Sequence, residues 1–456
     1  MGLEQIKTIV VVMMENRSFD HMLGHRSLPP INAPLDGQSQ DPAWLAQFTN
    51  TDSSGQKFAP FLNNNPYSLP PKFDPPHQRD NVTAQLGDLK NGVYPMNGFV
   101  SAIPSTVSAD PNIRKLVMGY FGADQAPMTM FLADNFAVCD RWFASLPSGT
   151  QPNRLMAMSG ISMIESNATP LPSQDLVYDW LDANKIRWCV YHQSIPFFTM
   201  MFRWIPRILL SDNFRPFDQF EADMANTPPF KRPQVVFIEP AYGDSPHLGR
   251  STDDHAPSGI SDGQEFLMQV YNAVTASPSF WKSSVTIVSY DEHGGFFDHV
   301  SPPMIPTSPP PGANYPDFKS LGVRTPGYVI SPFVKPGVVH NLFDHTSVLK
   351  FIGEKFGPNG WYSPVVDARP VESLSAALDF SAPINNSPSG PSMDAYIHAM
   401  PPANPLVAEI PVPDNELRAS FRDAVDEMKR QGAGPDHPKF GTLLNQVPPN
   451  PNPQNI

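Results

Sequence analysis

Acidic and amide side chains follow two continuous apolar runs that lie far apart in this sequence. Glu15-Asn16 comes directly after the run Thr8–Met14, and Asp291-Glu292 comes directly after the run 285–290. Such runs are typical of parallel strands buried on both faces, and ligands bind at the carboxyl ends of those strands. Carboxylates from both segments would repel one another in a dry cleft unless a cation neutralised them. The sequence therefore predicts a metal site at one edge of a sheet.

The side chains available at this edge offer oxygen ligands and no thiolate. Oxygen-rich sets suit hard cations, whereas zinc sites are built mostly from nitrogen and sulfur ligands. We therefore expect one divalent ion, with Ca²⁺ favoured and Mg²⁺ or Mn²⁺ as the alternatives. The expected ligands are Glu15, Asn16, Asp291 and Glu292. For any one of these carboxylates alone, a helix cap or a salt bridge is the competing interpretation.

Five short apolar runs mark the strands that would position these residues. They are Thr8–Met14, 187–191, 234–238, 285–290 and Gly327–Ile330. Their lack of alternation predicts parallel strands that are covered on both faces. Four of the runs are followed at once by polar residues, and His192 and Glu239 join the two acidic segments in this group. We therefore expect an α/β fold with a mostly parallel central sheet flanked by helices.

Apolar periodicity and end signals predict the flanking helices. Ser261 and Gln264 have the spacing of a capping box, which predicts that a helix starts there with Ser261 as N-cap. A second helix is expected over Thr346–Phe356, ending at Gly357. A third is expected over about 414–431, since four apolar residues recur on one face: Leu417, Phe421, Val425 and Met428.

Composition limits the kind of protein. The 456 residues include 31 Lys+Arg and 44 Asp+Glu, which gives a net charge of −13. This acidic balance argues against nucleic-acid binding, which needs concentrated positive charge. The 55 prolines exceed the average usage of about 5% more than twofold. We expect the proline-rich stretches 29–82, 302–316 and 383–405 to be loop insertions over the sheet.

No segment predicts a leader peptide or a membrane span. The apolar run 9–14 meets Glu15-Asn16-Arg17, whereas a span needs about 20 apolar residues and a leader needs a small-residue cleavage site. Cys139 and Cys189 are too few for a disulfide framework. We expect a soluble chain, with the compartment open between the cytoplasm and export by a route that the sequence does not show.

Five strings carry a family resemblance. They are VVVMMENRSFDHMLG at 10–24, FAVCDRWFASLPSGTQPNRL at 136–155, DDHAPSGISDGQEF at 253–266, SYDEHGGFFDHVSPP at 289–303 and HTSVLKFI at 345–352. Together they resemble the phosphoesterase family of bacterial phospholipases C, plant non-specific phospholipases C and related acid phosphatases. The resemblance implies an alkaline-phosphatase-like fold with long loop insertions. We expect a catalytic domain at 1–380 and a Pro/Asn-rich C-terminal extension at 381–456 with one helix packed on that domain.

The resemblance places Thr150 of SGTQPNR on the family's nucleophile, where it also joins the metal ligands. The four oxygen ligands predicted above fall on the family's metal ligands. A hydroxyl becomes a competent nucleophile when a metal stabilises its alkoxide. From the residues alone, Thr150 is an ordinary turn or helix-cap threonine.

Histidines complete the site that the resemblance implies. His77, His192 and His255 fall near family histidines that contact the phosphate, and one of them is expected to protonate the leaving alkoxide. His192 has a competing interpretation as a histidine at the edge of the core. His293 and His299 are either partners of the metal ligands or hydrogen-bonded loop residues.

Two further features have two interpretations each. Arg154 can clamp a phosphate, or it can pair with a carboxylate and hold the Thr150 loop, which we favour. The aromatic segment at 195–206 can form a lip that faces lipid or a choline cation. The competing interpretation of this segment is a packed aromatic cover: Phe197, Phe198, Phe202 and Trp204.

The resemblance implies a metal-dependent phospholipase C that releases diacylglycerol and a phosphorylated head group through a phosphothreonine. The alternative is an acid phosphatase that uses the same residues. A metal-stabilised binding protein without turnover is the third hypothesis, against which the intact Thr150 argues. The expected partners are a phospholipid or small phosphoester, with transient contact with a membrane surface and no nucleic acid. The sequence does not indicate which oligomeric state the protein adopts.

Overall fold

The computed structural model describes residues 2–66, 69–70, 73–246, 250–399 and 415–445. Within these ranges the strands are β1 Thr8–Met14, β2 Asn50–Thr51, β3 Lys57–Phe58, β4 Phe61–Leu62, β5 Gly119–Tyr120, β6 Ala137–Cys139, β7 Trp142–Phe143, β8 Trp188–His192, β9 Phe214–Pro216, β10 Val235–Glu239, β11 Ser284–Tyr290, β12 Gly327–Ile330, β13 Gly337–Val339 and β14 Phe343–Asp344.

The helices of the described residues are α1 Phe19–Leu23, α2 Pro42–Phe48, α3 Arg79–Leu86, α4 Pro111–Arg114, α5 Pro127–Asn135, α6 Thr150–Ser159, α7 Val177–Ala183, α8 Ile205–Leu210, α9 Phe220–Asn226, α10 Ser261–Ala276, α11 Pro278–Trp281, α12 Thr346–Phe356, α13 Pro364–Ala368, α14 Met393–Ala399, α15 Glu416–Arg430 and α16 Gly441–Asn445. In this part of the chain no helix combines the length and the apolarity that crossing a bilayer requires.

Eight strands form one central sheet in the order β13-β6-β12-β11-β1-β10-β8-β9. All of its pairings are parallel except those of β12, which runs antiparallel to β11 and β6. The predicted α/β architecture with a mostly parallel sheet is therefore confirmed. The predicted parallel direction of β12 is wrong, because burial on both faces makes a strand apolar whichever way it runs.

The predicted strands lie where the apolar runs indicated, within one residue. β1 and β12 have the predicted bounds, whereas β8 and β10 begin and end one residue later than predicted. His192 and Glu239 are therefore the last residues of strands rather than the first residues of loops. The strand β1 lies between β11 and β10, so that its carboxyl end is at the centre of the sheet edge.

The helix α10 lies where the sequence predicts a helix, but its start differs from the prediction. Ile260 is its N-cap, without a side-chain cap, and Ser261 is the first helical residue. The predicted capping box is wrong, because the Gln264 side chain instead exchanges two hydrogen bonds with Thr129. These contacts with Thr129 occupy the Gln264 side chain, so the predicted hydrogen bonds at the helix start do not form.

The chain after residue 380 contributes more than one helix to the described structure. The helices α14, α15 and α16 all lie there, where the sequence predicts one. All four predicted apolar residues of α15 are buried and belong to the main hydrophobic core. Residues 400–405 of one predicted insertion and residue 414 of the predicted helix lie outside the described residues. The domain boundary at 380 stays a prediction.

Candidate active site

The two acidic segments meet at the carboxyl edge of the sheet. Met14 and Tyr290 are paired neighbours at the ends of β1 and β11. The backbone N–H of Asn16 then donates to Asp291 Oδ1 across 3.1 Å. Glu15, Asn16, Asp291 and Glu292 are all fully buried. The predicted convergence of these segments is a feature of the structure.

Gly294 allows the loop after β11 to lie against Asn16. Its φ is +63°, and a Cβ at this position would lie 2.2 Å from the Asn16 carbonyl oxygen. Asn16 itself has a φ of +61°, a conformation that asparagine adopts more readily than most residues. The backbone N–H of Gly294 donates to Glu292 Oε2 across 2.7 Å and so fixes that carboxylate.

Arg154 joins the carboxylates of the two segments. Its Nε lies 3.1 Å from Asp291 Oδ2, and its Nη2 lies 3.1 Å from Glu15 Oε1. Burial raises the pKa of Asp291 to about 6, against the opposing effect of the Arg154 charge. The favoured interpretation of Arg154 as a carboxylate partner is confirmed. A buried guanidinium thus supplies part of the positive charge that the carboxylates require.

Thr150 is the first residue of α6, one helical turn before Arg154. Its side chain is fully buried, and its Oγ1 has no hydrogen-bond partner in the part of the chain that the structure describes. Gly149 lies so close to Gln78 that a Cβ there would be 3.1 Å from Gln78 Oε1. The residue before Thr150 therefore packs against the segment that carries His77, and Arg154, one turn later, holds Glu15 and Asp291.

His77 faces the end of the 291–292 segment. Its Nδ1 donates to the Pro75 carbonyl oxygen across 2.7 Å. Its Nε2 lies 3.5 Å from Asn16 Nδ2 and 3.8 Å from Glu292 Oε1. Although burial opposes the charged ring, the carboxylates of Glu292 and Asp74 raise the pKa of His77 above the usual histidine value.

His255 is surrounded by carboxylates. Its Nδ1 lies 3.0 Å from Glu15 Oε2 and 3.2 Å from Asp244 Oδ2, and its Nε2 lies 3.6 Å from Asp74 Oδ1. Burial opposes the imidazolium, but Asp244 and Asp74 raise the pKa of His255 well above the usual value. These carboxylates therefore favour the imidazolium form of His255, and its ring lies 5.8 Å from that of His77.

Asp244 is a site residue that the sequence did not reveal. It lies in the loop after β10, five residues beyond Glu239, and no short-range motif marks it. In the described residues, one group of potential metal-ligand atoms within 4.8 Å of one another comprises Glu15, Asp244 and His255. Asp291 and Glu292 do not belong to this group, and Arg154 contacts both Glu15 and Asp291.

The unpartnered oxygen atoms of the predicted ligands fit a hard cation. Three buried oxygens of the predicted ligands have no hydrogen-bond partner among the described residues: Asn16 Oδ1, Thr150 Oγ1 and Glu292 Oε1. Buried polar atoms are rarely left unpaired, so each such oxygen indicates a missing ligand, ion or water. Asn16 through its amide nitrogen and Glu292 through Oε1 both approach Nε2 of His77, so these two side chains face the same region.

His192 lies in a different environment from the other candidates. Its Nδ1 donates to the Ser194 carbonyl oxygen across 2.7 Å, and its ring stacks on Phe440 at 5.2 Å. It lines a cavity of about 930 Å³, and of the described candidates only His192 does so. Burial lowers the pKa of His192 to about 4, so the ring is neutral.

The remaining histidines of the DEHGGFFDH segment have distinct partners. His293 lies beside Glu292, with Nδ1 3.3 Å from its Oε2, and its Nε2 contacts Gln85. His293 therefore acts as a partner of a predicted ligand. His299 instead lies between the carboxylates of Asp20 and Asp36.

The aromatic segment after β8 is a packed cover and not an exposed lip. Phe197, Phe198 and Trp204 are buried, and Phe202 packs against the main core. Phe197 lies under the Arg154 guanidinium at 4.6 Å. The interpretation of this segment as a lipid-facing lip is wrong, because its rings fill the space behind Arg154.

A cavity of about 190 Å³ opens onto the two histidines. Its walls come from the 74–78 segment, from Asp244 and His255, and from the start of α15. The site thus combines carboxylates at a parallel-sheet edge, a partnerless threonine at a helix N-terminus, and two imidazoles. This arrangement defines an α/β protein with a polar ligand site at the carboxyl edge of its sheet.

Comparison with known proteins gives the family. The model of the phosphoesterase family matches residues 6–358, and the chain belongs to that family. The chain is 33% identical over 367 residues to "Non-specific phospholipase C1" of Arabidopsis thaliana, a match that covers 75% of this chain and 65% of the relative. It is 29% identical over 471 residues to "Phospholipase C B" of Mycobacterium tuberculosis, covering 88% of this chain and 82% of the relative.

The chain spans somewhat less than two thirds of the length of the plant relative. Among solved structures, a protein in the alkaline phosphatase superfamily from Vibrio parahaemolyticus aligns with 67% of this chain and 82% of its own. That alignment has a TM-score of 0.33 and 11% sequence identity.

Proposed function

We propose that this chain is a metal-dependent phosphoesterase that hydrolyses glycerophospholipids, such as phosphatidylcholine, to diacylglycerol and a phosphorylated head group. The observation that carries the proposal is the partnerless, fully buried Thr150 hydroxyl on the helix that also holds Glu15 and Asp291 through Arg154. The similarity to proteins named phospholipase C supports the lipid substrate.

The proposed reaction uses Thr150 as the nucleophile. Its alkoxide attacks phosphorus in line, the bond from phosphorus to the diacylglycerol oxygen breaks, and His255 gives its proton to that oxygen. Water then attacks the phosphothreonine and returns a proton to His255. This second step releases the phosphorylated head group and restores the alkoxide.

The side chains that would hold the divalent ion are the predicted set: Glu15, Asn16, Thr150, Asp291 and Glu292. A bound ion would stabilise the alkoxide and neutralise charge on the phosphoryl oxygens. The all-oxygen set favours Ca²⁺, with Mg²⁺ or Mn²⁺ as alternatives. In this proposal His77 contacts a phosphoryl oxygen, a role that the approach of its Nε2 to Asn16 and Glu292 supports.

One observation favours the second candidate, a phosphomonoesterase of the acid-phosphatase type. The cavity beside His77 and His255 has a volume of about 190 Å³. This volume is below the usual range of about 300–1,000 Å³ for pockets that take drug-sized ligands. A cavity of this volume suits a small phosphoester better than a whole phospholipid.

Hydrolysis assays on purified, metal-analysed protein separate these functions. The substrates are phosphatidylcholine micelles, p-nitrophenylphosphorylcholine and p-nitrophenyl phosphate. Faster hydrolysis of the two phosphodiesters supports a phospholipase C, and faster hydrolysis of p-nitrophenyl phosphate supports the phosphatase. Metal-dependent heat stability without any hydrolysis would support a binding protein and overturn the proposal.

A further inference from the structure

The C-terminal helix α15 contacts the candidate active site directly. Arg418 Nε lies 3.0 Å from Asp244 Oδ1, and the Asn415 side-chain amide donates to the same oxygen across 3.2 Å. Arg418 Nη2 also donates to the Gly243 carbonyl oxygen across 2.6 Å. These contacts join the end of the chain to a loop more than 170 positions earlier, and Asp244 in turn contacts His255.

The same helix supports the residue that joins the carboxylates. Phe421 packs on Tyr242 and Phe197, with ring centroids 5.7 and 6.0 Å apart. Both of those rings lie against the guanidinium of Arg154, and the Tyr242 hydroxyl accepts a hydrogen bond from Arg154 Nη1. The apolar face of α15 therefore packs against Tyr242 and Phe197, the two rings that contact the Arg154 guanidinium.

The first turn of α15 also forms a wall of the cavity. Asn415, Glu416 and Leu417 line it together with His77 and His255. Asn415 is the N-cap, and its side chain accepts from the backbone N–H of Arg418. The helix-cap hydrogen bond between Asn415 and Arg418 and the contacts of both residues with Asp244 therefore stabilise one another.

We propose that α15 is part of the active site, and that Arg418 and Asn415 are positioning residues that hold Asp244 and, through it, the His255 ring. The inference rests on the proposed function, because it gives His255 a role in phosphoryl transfer. Asp244 without its partners can rotate, and His255 then loses one of the two carboxylates that orient Nδ1. Displacing a catalytic group by a fraction of an ångström lowers the rate more than it lowers stability.

The test compares Arg418→Gln with Arg430→Gln, a matched change at the far end of the same helix. Arg430 is exposed and pairs with Glu427. We expect Arg418→Gln to lower kcat by about ten- to a hundredfold, with KM changed little, and to weaken orthovanadate binding measured by calorimetry by a similar factor. Arg418→Lys should restore part of the loss, and Arg430→Gln should match the wild type.

A third variant separates the positioning of Asp244 from the packing of α15 on the rest of the protein. Ser420→Ala removes contacts of α15 with Ala168 and Gln151 without touching Asp244. A loss of kcat in Arg418→Gln that Ser420→Ala reproduces at the same melting temperature would overturn the inference, as would equal vanadate affinities for Arg418→Gln and Arg430→Gln. If the wild type binds vanadate but hydrolyses no phosphoester, the proposed function is wrong. The comparison of vanadate affinities between Arg418→Gln and Arg430→Gln then still tests the inference.

Discussion

Arg154 Nε lies 3.1 Å from Asp291 Oδ2, although the two residues are 137 positions apart in the chain. Both side chains are almost entirely shielded from water. Removing one partner of a buried ion pair leaves the other charge uncompensated, which costs about 3–5 kcal/mol.

We therefore expect Arg154→Met to lower the free energy of unfolding by about 3–5 kcal/mol in urea denaturation. The control is Arg203→Gln, which breaks a surface ion pair with Asp179 and should cost about 1 kcal/mol or less. If both variants unfold at the same urea concentration as the wild type, Arg154 does not hold the carboxylates together.

Asp291→Asn tests the predicted metal ligands. The substitution keeps the side-chain shape and removes the charge, so we expect the metal content to fall from one ion per chain and turnover to fall about a hundredfold or more. Metal content is measured on protein equilibrated with the favoured ion. The control is Asp175→Asn, since the Asp175 side chain is 95% exposed. One bound ion per chain with wild-type turnover would remove Asp291 from the ligand set.

His192 and His255 give a direct comparison of two candidate histidines. His255 contacts Glu15 and Asp244, whereas His192 stacks on Phe440 in another cavity. We expect His255→Asn to lower kcat by about 10²-fold or more, and His192→Asn to leave kcat close to that of the wild type. Steady-state kinetics on p-nitrophenylphosphorylcholine measures both. An equal loss in the two variants would show that His192 belongs to the reaction, as the sequence predicts.

The stability of the protein should depend on the charge of His299. Burial opposes the imidazolium, but the flanking carboxylates of Asp20 and Asp36 raise the pKa of His299 to about 10. Because the folded pKa exceeds the unfolded value of about 6.5, this stabilisation is fully present below pH 6.5 and is lost as the pH rises towards 10.

We expect His299→Gln to flatten the fall in unfolding free energy between pH 7 and pH 10 by a few kcal/mol at most. Urea denaturation at several pH values measures this difference. The control is His340→Gln, because the side chain of His340 is 60% exposed. A wild-type profile and a His299→Gln profile with the same slope would show that His299 is not charged in the folded protein.

Much of the central sheet and part of the candidate site could be predicted from the sequence. Continuous apolar runs located β1 and β11, and the strand-end rule predicted that Glu15 and Asp291 approach one another. The same rule is less informative for His192, because β8 is separated from β1 by β10 and His192 is still within its strand. The position of a residue at a strand end therefore predicts that it lies at the carboxyl edge of the sheet. It does not predict how far along that edge the residue lies from the other site residues.

Asp244, Asn415 and Arg418 could not have been found in this way. Their contacts depend on how a loop after β10 and a helix near the chain end pack in three dimensions, and neither segment carries a motif of its own. Electrostatics predicted positive charge between Glu15 and Asp291 and assigned it to a divalent metal ion; Arg154 supplies part of that charge, and the metal ion stays a prediction. Repulsion between buried carboxylates requires positive charge, and a guanidinium supplies it as well as a metal ion does.

The most direct test of the account is the residue that becomes phosphorylated during turnover. Protein is mixed with excess p-nitrophenylphosphorylcholine, quenched with acid within the first turnovers, digested and analysed by mass spectrometry. We predict a phosphorylcholine group on Thr150 in the wild type, on the new serine side chain in Thr150→Ser, and on no residue in Thr150→Ala, which should fold normally because Thr150 Oγ1 has no hydrogen-bond partner. Wild-type turnover in Thr150→Ala, or a modified residue elsewhere in the chain, would contradict the account.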